Sequence, residues 1–141
     1  MKFTLHDLIL ELDAEKTRRF YAETDASDEC DCAGCRNYRL AVPRFPAEVA
    51  DIFRRLGIDV GKPAEIIPWS AEEGGRAMHY GGFYHLCGRL IRGGHYTVTD
   101  GFSVSFTEDV SLPETGLPSP ALQMEIDFHG VPWLLDEENP Y

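Results

Sequence analysis

The sequence predicts an α+β fold: a single domain over residues 1–141, with an antiparallel β-sheet and two or three helices packed on one of its faces. Three observations predict it. One strong helical stripe lies at Pro46–Leu56. Beyond Glu65 the apolar residues recur with a period of 2 instead of 3.6. In those later segments every second position is polar, which suits a sheet with one core face and one solvated face, and such sheets are antiparallel. A chain of 141 residues has the length of one domain, and with 43% hydrophobic residues it can build a core without disulfides or a metal.

The opening stretch, Phe3–Leu5 and then Leu8–Leu12, alternates imperfectly and reads as strand. Asp13 is placed to cap a short helix through Ala14–Tyr21, although Arg18–Glu23 also fits a second strand. From Glu23 to Asp31 the acids Glu23, Asp25, Asp28, Glu29 and Asp31 leave no apolar face, so a loop is expected. A short helix follows from Cys32 towards Leu40, stopped by Pro43, because proline disfavours helical geometry at the residue before it. In Pro46–Leu56 the proline occupies the first turn, where its missing N–H costs nothing. Val49, Ile52, Phe53 and Leu56 then fall on one stripe, Arg54 and Arg55 complement the helix dipole, and Gly57 supplies a left-handed stop.

Ile66–Trp69 reads as a short strand and Met78–Ile91 as a long one, with Gly81-Gly82 a bulge or turn. Gly93-Gly94 turns the chain into His95–Thr99, and Asp100-Gly101 is a hairpin signal before Phe102–Phe106. Three prolines make Leu112–Pro120 a loop; Leu122–Phe128 is the final strand, and Pro132–Leu135 a tail anchored by Trp133. Phe102, Val104 and Phe106, and likewise Leu122, Met124, Ile126 and Phe128, mark the core face of about four to six strands.

Composition narrows the function classes. Acids outnumber bases 24 to 13, for a net charge of −11, so the basic footprint that nucleic acid requires is missing. No apolar run nears the roughly 20 residues of a membrane helix. Met1-Lys2-Phe3-Thr4-Leu5-His6-Asp7 is too polar for a secretory signal, so a cytoplasmic location with reduced or metal-bound thiols is expected. Residues 100–141 hold nine acids and no Lys or Arg. That stretch is either a solubilising surface or a docking face for a basic protein partner, since a field of one sign steers association.

Cys30-x-Cys32-x-x-Cys35 is the densest chemical motif. Three thiolates within six residues can wrap one side of a zinc ion, with Cys87, or alternatively His85 or His79, as the fourth ligand. A second C-x-x-C pair, the usual mark of such a site, is missing. Cys32-Ala33-Gly34-Cys35 at a helix start also suits thiol–disulfide chemistry, although the neighbouring acids oppose a thiolate. A third possibility is that the thiols simply pack as small hydrophobes.

On the polar sheet face Glu125, Asp127 and His129 alternate along one strand, with His95, Thr97 and Thr99 on another. Carboxylates two residues apart on a strand stand about 7 Å apart, which suits acid–base work or a metal, so Glu125, Asp127, His129 and His95 are candidate ligand-binding residues, for a small ligand among others. The alternative is a solvated strand face. Motifs for zinc proteases, zinc deaminases and phosphate-binding loops are missing, and Gly101-Phe102-Ser103-Val104-Ser105 lacks the closing glycine of a nucleophile elbow.

Cys30-Asp31-Cys32-Ala33-Gly34-Cys35-Arg36-Asn37-Tyr38, Leu56-Gly57-Ile58-Asp59 with Lys62-Pro63-Ala64-Glu65, Tyr80-Gly81-Gly82-Phe83-Tyr84-His85 and Val131-Pro132-Trp133 span most of the chain. Together they resemble a family of short, uncharacterised bacterial cytosolic proteins. The resemblance implies a free-standing small protein and carries no catalytic residue. The expected function is a non-catalytic binding or interaction module, such as an acidic antagonist of a basic partner, whose cysteines hold a structural metal, zinc by preference. The alternatives are a thiol-redox protein using Cys32 and Cys35, or a metal-dependent hydrolase.

Overall fold

The computed structural model describes residues 1–24, 30–111 and 116–141. The chain begins with a hairpin of β1 (Lys2–Leu5) and β2 (Leu8–Leu12), then runs through α1 (Ala14–Glu23), α2 (Ala33–Ala41) and α3 (Ala47–Leu56). The rest is β3 (Glu65–Glu72), β4 (Ala77–Arg92), β5 (His95–Thr99), β6 (Phe102–Thr107) and β7 (Ala121–Pro132). All pairings are antiparallel, so the predicted α+β class holds. Much of the acidic loop expected over Glu23–Asp31 and of the loop expected over Leu112–Pro120 lies outside the described residues, at 25–29 and 112–115. Among the described residues no helix is long and apolar enough to cross a membrane.

The sheet has seven strands, one more than expected, in the order β1-β2-β4-β7-β6-β5 with β3 also on β4. The reason is the length of β4. Over its sixteen residues one edge accepts two neighbours in turn, β3 along Ala77–Phe83 and β2 along Gly88–Arg92.

Local signals explain the helices. Asp13 caps α1, its carboxylate accepting from Lys16 N at 3.1 Å, and this settles Arg18–Glu23 as helix and not strand. Thr17 and Tyr21, one turn apart, are the buried positions of α1. The Tyr21 hydroxyl donates to the His85 carbonyl at 2.7 Å and ties the helix to β4. Cys32 caps α2, which tightens into a short 3-10 turn at Val42–Arg44 around Pro43. In α3 the predicted stripe of Val49, Ile52, Phe53 and Leu56 is buried, and Gly57 ends the helix at φ 82°. A side chain at Gly57 would also strike the Ala14 carbonyl, 2.4 Å from the Cβ position, so α3 ends hard against the start of α1.

Between helices and sheet lies one core. Tyr38, Phe45, Phe53, Tyr80, Tyr84 and Phe128 form its aromatic centre, most pairs meeting edge to face, as between Phe53 and Tyr84 with ring centroids 4.9 Å apart. The predicted alternation holds: Phe102, Val104 and Phe106 are buried, as are Leu122, Met124, Ile126 and Phe128.

Two expectations about the outer face need correction. Gly81-Gly82 forms neither a turn nor a bulge but runs in register against Ile67 and Ile66. The irregularity lies two residues earlier. At the level of His79, β3 carries the extra residue Trp69, and β7 places two residues, His129 and Gly130, against one. Gly130 at φ 67° accommodates the second of these bulges. Gln123, expected on the solvated face, is only 2% exposed. Ser111, shortly after β6, donates its N–H to Gln123 Oε1 at 2.8 Å.

Candidate metal centre

The three cysteines of the motif converge where α2 begins. Cys30 is exposed, Cys32 half-buried and Cys35 buried, and their sulfurs lie within 4.8 Å of one another. The convergence is built by local hydrogen bonding. As the cap of α2, Cys32 takes the Cys35 N–H on its sulfur at 3.4 Å. Its own N–H points at the Cys30 sulfur, also at 3.4 Å. This is a chain of backbone donors aimed at sulfur, the arrangement that favours thiolates at a helix N-terminus.

The electrostatics are asymmetric. Burial opposes ionisation of Cys32, yet the Cys35 N–H and thiol, the Cys30 thiol and the Tyr141 hydroxyl donate to its sulfur and bring it down to about 7. Burial, followed by the proximity of the Cys32 and Cys30 sulfurs, pushes the Cys35 thiol far up. Arg36 and Arg39 lie close by, bonded to the Asp31 and Cys30 carbonyls at 3.2 Å each. Their charges favour anionic sulfur.

The rest of the centre comes from distant parts of the chain. Tyr141 reaches back to accept the Gly34 N–H at 3.1 Å. Arg36 pairs with Glu137 at 2.9 Å, holding the C-terminal segment over the start of α2. The Cys35 thiol faces the Ile66 carbonyl of β3 at 4.0 Å. A cavity of about 290 Å³ opens beside Cys30 and Cys35, with Tyr38, Ala64, Glu65 and Ile66 in its wall.

None of the three fourth ligands named from the sequence reaches this centre; His79 pairs instead with Asp127. Cys87 stands five residues beyond Gly82, the partner of Ile66, which is about 17 Å along β4. There its thiol points to the Pro118 carbonyl at 3.7 Å. The His85 ring lies on the outer face, with Nε2 3.2 Å from Gln123 Oε1, on the side of the sheet away from the helices.

The four residues expected to share the polar face are only partly united. Asp127 and His129 do meet, in the company of His79 and Glu72. Glu125 turns instead to Gln123 Nε2, at 3.2 Å. His95 pairs with Ser105 on β5–β6 and stands two strands away from Glu125. Sequence reasoning missed Tyr141 and Glu72, because both act across more than fifty residues of chain.

Neither family models, curated proteins nor solved structures give a match to this chain.

Proposed function

We propose that this protein is a binding module whose metal centre is the trio Cys30, Cys32 and Cys35, with zinc as the ion. The observation that carries the reading is the convergence of three sulfurs within 4.8 Å of one another at the start of α2. Three thiolates supply three corners of a tetrahedral zinc site, and the cavity beside Cys30 and Cys35 leaves room for a fourth, non-protein ligand. The bound ion ties the segment before α2 to the helix itself. Binding to the folded state alone stabilises it by RT ln(1 + [L]/Kd), about 2.7 kcal/mol at a hundredfold excess over Kd.

A second half of the proposal is docking of a basic protein on the outer face of the sheet. Strands β5, β6 and β7 contain no Lys or Arg, and Glu125 and Asp127 are exposed on β7. Binding of such a partner weakens as salt rises. Affinity unchanged between low and high salt contradicts this half alone.

A dithiol reading competes for the same residues, favoured by a half-buried Cys32 beside a buried Cys35. In it the Cys32 thiolate attacks a substrate disulfide and Cys35 resolves the mixed disulfide. The pair becomes a disulfide as the substrate becomes two thiols. The deciding experiment is elemental analysis of chain purified without chelator or metal columns, with thiols counted on the same sample. The metal reading expects one zinc per chain held by this centre, its thiols protected until chelator is added, and loss of that zinc in C32S. Freely titrating cluster thiols, and full disulfide-reductase activity that disappears in C32S, support the dithiol reading instead.

A further inference from the structure

On the opposite face of the sheet, far from the cysteines in sequence, His79, Asp127 and His129 bring their ligand atoms within 4.8 Å of one another. We propose that these three residues form a second metal site, for a divalent first-row transition ion such as zinc or nickel, with Glu72 as its outer-shell support.

The paired bulges create the site. In β4, β7 and β3 the strands lose register together at the level of His79. This places His79 and His129 face to face, with rings stacked 3.8 Å apart and 13° from parallel. The Asp127 carboxylate sits at the rim of this stack, 2.5 Å from His79 Nε2 and 3.7 Å from His129 Nε2. Ligand atoms around a tetrahedral zinc stand about 3.3 Å apart. The His129–Asp127 separation is therefore near the required value, whereas the His79–Asp127 contact must open by about 0.8 Å and the stacked rings must tilt apart so that both Nε2 lone pairs meet at the ion.

Glu72 gives the arrangement its direction. Its Oε2 bonds His129 Nδ1 at 2.8 Å, leaving Nε2 turned towards Asp127. Its other oxygen takes the Gly130 N–H at 2.8 Å, which fixes the carboxylate. A carboxylate holding the far nitrogen of a ligating imidazole is the usual outer-shell partner of a metal-bound histidine. Two imidazoles and one carboxylate suit zinc, nickel or iron better than calcium or magnesium. With only three protein ligands, the ion keeps a position open to solvent. Trp69, 59% exposed, packs its indole across Gly81, the residue that pairs with Asp127. A side chain at Gly81 would meet the indole nitrogen 2.2 Å away, so this packing requires glycine.

The test is the number of ions bound by the full chain, read by calorimetry with nickel and with zinc after stripping by chelator. The C30S/C32S/C35S variant is expected to bind one ion. H79Q and H129Q, each introduced into that variant, are expected to weaken this binding more than tenfold. E72Q is expected to weaken it by about 10- to 100-fold at unchanged stoichiometry. Should the triple cysteine variant fail to fold, the wild-type chain is compared with H79Q/H129Q, which is expected to bind one ion fewer. Loss of the cysteine centre leaves the histidine ion in place, so the two sites fail separately. No ion in the triple variant, or equal affinity with and without His79 and His129, overturns the proposal.

Discussion

Asn37 shows most clearly what the residues after the cysteines do. Buried in α2, it donates to the Tyr80 hydroxyl at 3.1 Å and to the Pro132 carbonyl at 3.0 Å, and it accepts the Leu134 N–H at 2.6 Å. One amide thus fastens α2 to β4 and to the chain leaving β7. Its neighbour Tyr38 bonds Tyr84, which in turn donates to the Val60 carbonyl at 2.6 Å. The Cys-Arg-Asn-Tyr run is therefore a metal-ligand candidate followed by three anchors. Replacing Asn37 by Ala leaves buried partners unpaired and is expected to cost about 2–4 kcal/mol in urea unfolding. A loss below about 1 kcal/mol contradicts the anchoring role. His85 makes a second prediction. Burial lowers its pKa from 6.5, against the opposing effect of Gln123 and Ser111, so the folded imidazole stays neutral where the unfolded one is already protonated. A histidine whose folded pKa is depressed contributes nothing to pH dependence above the unfolded value and destabilises the fold as pH falls below it. Stability is expected to fall as pH drops below about 6.5, with a shallower slope in H85Q. Equal slopes in the two proteins would refute it. No sequence signal singles out His85 as buried, because its partner Gln123 and the Ser111 bonded to that amide are distant in the chain.

Among the elements, those with self-contained signals were legible. The stripe and stop of α3, the Asp13 cap and the Asp100-Gly101 hairpin each depend on residues within a turn or two of one another. What depends on pairing between strands was not. The bulges at Trp69 and at His129–Gly130 exist only relative to β4, and with them went the positions of His79 and Glu72. The contact of α3 with α1 offers an element-scale test. Gly57→Ala combines a left-handed φ with a Cβ placed 2.4 Å from the Ala14 carbonyl. Gly116, also left-handed at φ 84°, has open space around it. Gly116→Ala is expected to cost about 1 kcal/mol from conformation alone, and Gly57→Ala at least twice that. Equal costs would mean that α3 and α1 yield without strain.

Across the whole molecule the sheet separates two kinds of chemistry. On the helix side, the start of α2 and the C-terminal segment gather sulfur. On the outer side, where β5 to β7 lack basic residues, the bulged strands gather imidazole and carboxylate. The cysteine trio was legible from spacing alone. Its closure by Tyr141 and the exclusion of Cys87 were not, since both follow from where β4 and the tail run in space. Whether the trio holds an ion through sulfur is read by X-ray absorption at the zinc edge, on the H79Q/H129Q chain loaded with one equivalent of zinc. Three sulfur neighbours at about 2.3 Å and one lighter atom nearer about 2.0 Å are expected. A shell of nitrogen and oxygen alone, or zinc that washes away, would contradict sulfur ligation by the trio.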